Sequence, residues 1–245
     1  MPVGAAAPPY AGSRGIHAPL SRARGAAGRG GLRGPRAGAG FRAGVMHGLR
    51  AGRNAAALGS GASKPGNQTM DDIEIVRCSL ERHAAAILEI FNDAIETSTA
   101  LYDYKAREPR SMVGWFEAKQ RGSFPVIGVE DRRGTLLAFG SYGSFRAWPA
   151  YKYTVEHSVY VHRDHRGRGL GRLVMQRLIE AAREQGLHAM IGGIDAANAG
   201  SIALHTSLGF RHVGTLPQVG FKFGRWLDLA FYELLLDTPA RPVDG

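Results

Sequence analysis

The stretch TVEHSVYVHRDHRGRGLG, Thr154 to Gly171, joins an apolar run of strand character to an amphipathic helix through a loop of glycine and arginine. Its last seven residues, His165 to Gly171, carry almost no side-chain bulk apart from positive charge. Glycine lets backbone N–H groups approach an anion closely, and the helix opening at Leu170 aims its unpaired N–H groups and partial positive charge at the same point. Arg166 and Arg168 add formal charge, so the loop reads as a phosphate cradle. Spacing narrows the ligand. A dinucleotide fingerprint needs G-x-G-x-x-G near the first strand with an acidic residue about 20 positions on, and a Walker loop needs G-x-x-x-x-G-K before Ser or Thr. This chain has G-x-G-x-G in its second half, which fits the dinucleotide fingerprint weakly, and it has no Walker string, so nucleotide hydrolysis drops out.

Outward from that loop, periodicity marks the remaining elements. Ile73 to Arg77 reads as a strand, and Arg82 to Ile95, apolar at positions 87, 88, 91, 94 and 95, reads as a helix. After a loop from Glu96 to Glu108, Pro109 opens a second helix to about Gln120, with Met112, Val113 and Phe116 on its apolar side. Val126 to Glu130 and Thr135 to Tyr142 flank the turn Asp131 to Gly134 as a hairpin, and Tyr153 to Val161 is the next strand. The helix from Leu170 carries Leu173, Val174, Leu178, Ala181 and Ala182 and ends at Gly186. A strand at Ala189 to Ile194, a helix from Ala199 to Leu208 stopped by Gly209, and strands at Phe210 to Thr215 and Leu227 to Leu236 complete the pattern. Residues after Asp237 read as a loose tail, 238–245. This order predicts an α/β (α+β) domain with a mixed, mostly antiparallel sheet flanked by helices on both faces. Its parallel pair is the two strands on either side of the helix from Leu170.

Charge separates an extension from this domain. Residues 1–70 contain 16 of the 34 Gly, nine Arg and Lys64, and no acid, so they bury too little apolar surface to offset ordering and read as disordered. The remaining 21 basic residues balance all 21 acidic ones, so the formal charge of +10 belongs to the extension. Three readings compete for it: a transit segment, a tail that touches nucleic acid, or translated upstream sequence with Met70 as the true start, and the third is favoured. No apolar run reaches the roughly 18 residues that span a bilayer. Cys78 is the single cysteine, which fits a reducing, cytoplasmic location.

R-x-x-G-x-G at Arg166 to Gly171 resembles the pyrophosphate loop of the GNAT acyltransferases. Thr154 to Gly171, with Asn198, LHTSLGF at Leu204 to Phe210 and GFKFGRWLDLAFYEL at Gly220 to Leu234, is similar to the phosphinothricin and methionine sulfone (sulfoximine) N-acetyltransferase group. The resemblance runs over about residues 72 to 236. It implies a GNAT fold of about seven strands over 71–237, acetyl-CoA as co-substrate entering between splayed parallel strands, and N-acetylation of a small amino acid analogue by direct attack. It assigns the backbone of Val159, Tyr160 and Val161 to the pantetheine arm, Arg166, Gly167, Arg168, Gly169, Leu170 and Gly171 to the pyrophosphate, and Asn198 to the distal arm, unless Asn198 serves as a helix N-cap.

For the chemistry, a backbone N–H near Val159, freed by a strand bulge, is expected at the carbonyl oxygen. Glu156, on the face of Thr154 and Ser158, is the candidate base, acting through water or by positioning the amine. His205 stands where many superfamily members carry tyrosine and is the candidate proton carrier for amine or thiolate. Both substitutions to Ala are expected to lower turnover more than cofactor affinity. Arg146, with Lys152 as alternative, is expected to take a substrate carboxylate, Trp148, Tyr151 and Tyr153 to wall one side of the pocket, and Phe91, Thr99 and Tyr102 the other. His157, His162 and His165 match no strong zinc spacing, and no metal is expected. Relatives imply a homodimer. The alternatives are a protein or peptide N-acetyltransferase, distinguished by an open groove, and a non-catalytic CoA sensor binding nucleic acid through its basic tail.

Overall fold

The computed structural model describes residues 72–244, so every reading of the Arg/Gly extension lies outside the described residues. Seven strands form one sheet in the order β1-β2-β3-β4-β5-β7-β6: β1 (Ile73–Arg77), β2 (Val126–Asp131), β3 (Leu136–Ser144), β4 (Thr154–Val161), β5 (Ala189–Asp195), β6 (Arg211–Lys222) and β7 (Arg225–Leu235). Every neighbouring pair is antiparallel except β4 and β5. Four helices complete it: α1 (Leu80–Thr97), α2 (Ser111–Arg121), α3 (Leu170–Glu184) and α4 (Ala199–Ser207).

Two apolar layers hold the sheet. On one face α3 sends Val174, Met175, Leu178 and Ala182 against Leu137, Val155 and Met190, all fully buried or nearly so. On the other, Ile87, Ile90, Phe91 and Ile95 of α1 pack with Met112 of α2 against Phe139 and Tyr160. The 3.6-residue stripe of each helix meets the two-residue alternation of the strands, which is what makes burial on both faces possible. The Ser79 hydroxyl accepts the Arg82 N–H at the start of α1, and Gly186 and Gly209, both at positive φ, follow α3 and α4.

Two boundaries differ from the sequence reading. β6 runs on from Thr215 to Lys222, through Pro217 and a register shift between Leu216 and Gly220. Pro is tolerated there because β6 is the edge strand, and its outward apolar residues hide the usual alternation. The segment after Asp237 is held rather than loose: the Thr238 hydroxyl donates to the Leu187 carbonyl, and Tyr153 Oη exchanges bonds with the backbone of Val243 at 3.1 and 3.3 Å. Among the described residues no helix is long and apolar enough to cross a membrane.

Candidate active site at the splay of the parallel strands

β4 and β5 pair at Thr154↔Ala189, Val155↔Met190 and Glu156↔Ile191, and there the ladder stops although both strands continue. Beyond it opens a cleft between His157 to Tyr160 on one side and Gly192 to Asp195 on the other. The start of α4 and the loop after α1 close its ends. The free edge of β4 follows from its hydrogen bonding. Phe145 donates to the Thr154 carbonyl and His162 to the Leu137 carbonyl, so the even-numbered residues face β3 and the odd ones turn toward β5. Val159 therefore presents N–H and C=O to the cleft, as a strand edge presents them to an extended ligand. The β3–β4 register runs unshifted from Ser144↔Val155 to Ala138↔Val161. Divergence of two parallel strands, and not the expected bulge, frees this N–H.

The glycine loop sits beyond the end of β4. Gly167 and Gly169 have φ of 77° and 79°, left-handed values that bulkier residues resist, and open space lies where their side chains would be. Gly169 is also the N-cap of α3 and offers no side chain to its first-turn N–H groups, which stay available to an anion. Arg166 does something else. Its guanidinium binds the Asp93 carboxylate of α1 at 2.9 Å, beside Arg163 at 3.0 Å, and its Nε donates to the Val161 carbonyl. It anchors the loop to α1, because a fixed carboxylate lies within its reach. Arg168 donates to His165 Nδ1 at 3.0 Å. Asn198 is the N-cap of α4, accepting the Ser201 N–H at 3.0 Å, and also lines the cleft, so its two expected positions coincide.

Glu156 and His205 lie on opposite faces of the sheet where it splits. Glu156 points to the side of Gly193, and its Oε2 is buried without a hydrogen-bond partner. Burial raises its pKa and the nearby Arg146 charge pulls it down. His205, 2% exposed, faces the α4 side, with Nδ1 2.6 Å from the Ser201 carbonyl and Nε2 3.2 Å from His157 Nε2. A carbonyl only accepts, so His205 carries its proton on Nδ1, and the N–H between the rings belongs to His157. Gly192 lies against this pair: a Cβ there would stand 2.9 Å from His157 Nε2 and 3.2 Å from His205 Nε2.

The histidine pair has a consequence for stability. Burial, then the neighbouring His205, pulls the His157 pKa from 6.5 to about 3. Below pH 6.5 the unfolded chain binds a proton that the native chain refuses. Stability is therefore fully present above that pH and falls progressively toward pH 3, by a few kcal/mol, ~1.4 for each pH unit in that window. Denaturation midpoints between pH 7 and 5 should fall less steeply in His157→Gln than in the parent; equal slopes would remove His157 from the acid response.

The predicted pocket walls separate. Tyr102 and Thr99 line the cleft. Phe91 does not: it is 2% exposed, ringed edge-on by Trp115, Phe139 and Tyr160, with Arg107 stacked 4.3 Å from its centre, because it lies on the inner stripe of α1. Trp148 is 74% exposed and Tyr151 packs on Phe145, and neither lines the cleft. Arg146 stacks on Phe145, and Lys152 lies over the ring of Tyr153. A wider depression of about 270 Å³ over α1, lined by Glu89, Asn92, Asp93, Glu96, His162 and Arg163, contains no β4 or β5 residue.

Comparison with known proteins agrees with this geometry. The model of the acetyltransferase (GNAT) family matches residues 85–210. The chain belongs to the GNAT acetyltransferase family. An L-methionine sulfoximine/L-methionine sulfone acetyltransferase of Salmonella typhimurium is 44% identical over 68% of this chain and 97% of its own. A phosphinothricin N-acetyltransferase of Streptomyces coelicolor is 32% identical over 64% and 94%. The solved structure of YncA from Salmonella typhimurium with its cofactor acetyl-CoA superposes with a TM-score of 0.67 at 43% identity, over 70% of this chain and 98% of that one.

Several residues of this GNAT acetyltransferase escaped the sequence reading. His157 was weighed only as a zinc ligand with His162 and His165; it turns instead to His205. Its alternation with Val155 and Val159 was the available signal, and the Gly192-Gly193 pair inside a buried strand signalled close approach of other groups. Asp195 accepts from Thr99 Oγ1 at 2.6 Å, Ala197 N at 3.0 Å and Arg225 at 3.0 Å, tying the loop after α1 to the end of β5. Lys222 is buried and donates to the carbonyls of Ile95, Ser98 and Leu101 at 2.6, 2.9 and 2.6 Å. No local pattern marks either role.

Proposed function

We propose that this GNAT enzyme transfers the acetyl group of acetyl-CoA to the amine of a small amino acid analogue of the methionine sulfone, methionine sulfoximine or phosphinothricin type. One observation carries the reading. The three buried side-chain polar atoms without a partner among the described residues, Glu156 Oε2, Tyr102 Oη and His157 Nδ1, all belong to side chains in or beside the cleft. Native proteins pair nearly all such atoms, so a cluster of orphans marks a place built for a polar ligand.

The residues fit acetyl-CoA: an open β4 edge for its amide arm and a bare helix N-terminus with a left-handed glycine loop for its pyrophosphate. The co-substrate supplies an activated acetyl thioester. The Val159 N–H stabilises negative charge developing on the acetyl oxygen. Glu156 accepts a proton from the substrate ammonium through its unpartnered oxygen and passes it to water, which leaves the nitrogen lone pair free to attack. The remaining N–H proton goes to the departing sulfur as its bond to carbon breaks, with His205 and His157 as the polar wall beside it. Arg146, whose charge Glu156 feels, receives the substrate carboxylate.

A thiol-release assay with acetyl-CoA tests this directly. Turnover is expected with methionine sulfone, methionine sulfoximine or phosphinothricin. Acetylation of peptide N-termini or lysines with none of the amino acids would assign the chain to protein acetylation instead.

A second copy is proposed as the partner of the sheet edge. Among the described residues β6 is unpaired on one side, and its hairpin with β7 exposes Val213, Leu216, Val219, Phe221, Phe223 and Trp226 by 46 to 60%. Such an edge invites pairing, and self-pairing closes it. Sedimentation should show a dimer, and a monomer at assay concentration would remove the proposal. A reducing cytoplasmic location is proposed with it, since the single cysteine of the sequence, Cys78, has no second thiol for an internal disulfide.

A further inference from the structure

Tyr102 combines an immobilised ring with an unsatisfied hydroxyl. Its backbone is held through the preceding residue, whose carbonyl accepts from Lys222 at 2.6 Å. Its ring lies flush on β6: a Cβ at Gly220 would stand 2.7 Å from Tyr102 Cε2 and 3.1 Å from Cδ2, so no larger residue fits beneath it. The hydroxyl is buried and has no hydrogen-bond partner. It lines the cleft together with Thr99 and Asp195. Asp195 does not serve it: that carboxylate accepts from Thr99, Ala197 and Arg225 and makes no hydrogen bond to the phenol. Burial and the Asp195 charge both raise the phenol pKa, so the group is an un-ionised donor.

An amino acid offers three substituents at its central carbon. On the reading above, which this inference rests on, Glu156 takes the amine and Arg146 the carboxylate. The side chain is left for the unpartnered Tyr102 hydroxyl, on the loop after α1. We propose that the Tyr102 hydroxyl is a specificity-determining donor that selects substrates carrying an acceptor oxygen on the side chain, such as a sulfone, sulfoximine or phosphinate. An oxygen placed there satisfies a donor that is otherwise dry and unpaired. A thioether of the same length leaves it so, and sites built around a buried donor reject ligands lacking the acceptor strongly.

The test compares methionine sulfone with methionine, which differ by the two oxygens, in the parent and Tyr102→Phe proteins. The parent should favour the sulfone in kcat/KM by at least ~10-fold. Tyr102→Phe should lose ~10-fold or more on the sulfone while methionine changes less than ~3-fold, so the preference collapses. Equal losses on both substrates would show that the hydroxyl supports the site without reading the substrate side chain and would overturn the inference. So would a preserved preference. Turnover of neither amino acid by the parent, with acetylation of a peptide, overturns the proposed substrate class and this inference together, whereas an unchanged ratio overturns only the latter. Thermal unfolding of Tyr102→Phe, expected within a few degrees of the parent, separates loss of the hydroxyl from loss of the fold.

Discussion

Replacing Glu156 with Gln is expected to lower kcat by ~10²- to 10³-fold while the KM for acetyl-CoA changes less than ~3-fold. The amide keeps the size of the carboxyl group and its place beside Gly193, and it removes the one unpartnered carboxylate oxygen at the splay. The Val159 edge and the glycine loop, proposed to hold the co-substrate, lie farther along the chain and are untouched. Burial raises the Glu156 pKa, so the acidic limb of the parent's pH–rate profile should lie above that of an exposed glutamate, with activity lost as pH falls through it. Steady-state kinetics across pH would check both points. A parallel loss of acetyl-CoA affinity would mean that Glu156 shapes the cleft rather than moving a proton.

Lys222→Met should produce the second large effect, on stability and on the amine site together. Lys222 Nζ satisfies three carbonyls at the end of α1 and in the loop that follows. Methionine fills similar volume and leaves those oxygens dry, at a cost of ~2–4 kcal/mol. For a domain of this size that corresponds to a fall in Tm of roughly 5–15 °C. The same loop carries Thr99 and Tyr102 into the cleft, so the KM of the amine should rise ~10-fold with little change for acetyl-CoA. Thermal unfolding and substrate titration measure the two halves. A stable variant with unchanged KM would show that Asp195 alone positions the loop.

The loop and the flanking elements were legible because their signals are local. Gly186 and Gly209 end helices through their own backbone conformation, and the stripe of α3 is carried by its own spacing. The ion pair of Arg166 was hidden for the opposite reason. Its charge is visible in sequence, but its partner Asp93 lies 73 positions away on another helix. Phe91 misled similarly, since an aromatic residue on an apolar stripe reads the same whether the stripe meets a pocket or a core. β6 was underestimated because an edge strand with outward apolar residues lacks the alternation that burial on one face imposes.

The order of elements, the chirally demanding turns and the glycine loop are written in local sequence, since each depends on hydrogen bonds and side-chain periodicity within a few residues. Long-range packing sets that β4 and β5 part after Glu156↔Ile191, that Glu156 and His205 take opposite faces of the split, and that His157 is the partner of His205. It also sets which buried polar atoms find partners among the described residues and which do not. Those outcomes depend on strands and helices distant in sequence meeting at ångström separation, and no local pattern encodes that distance.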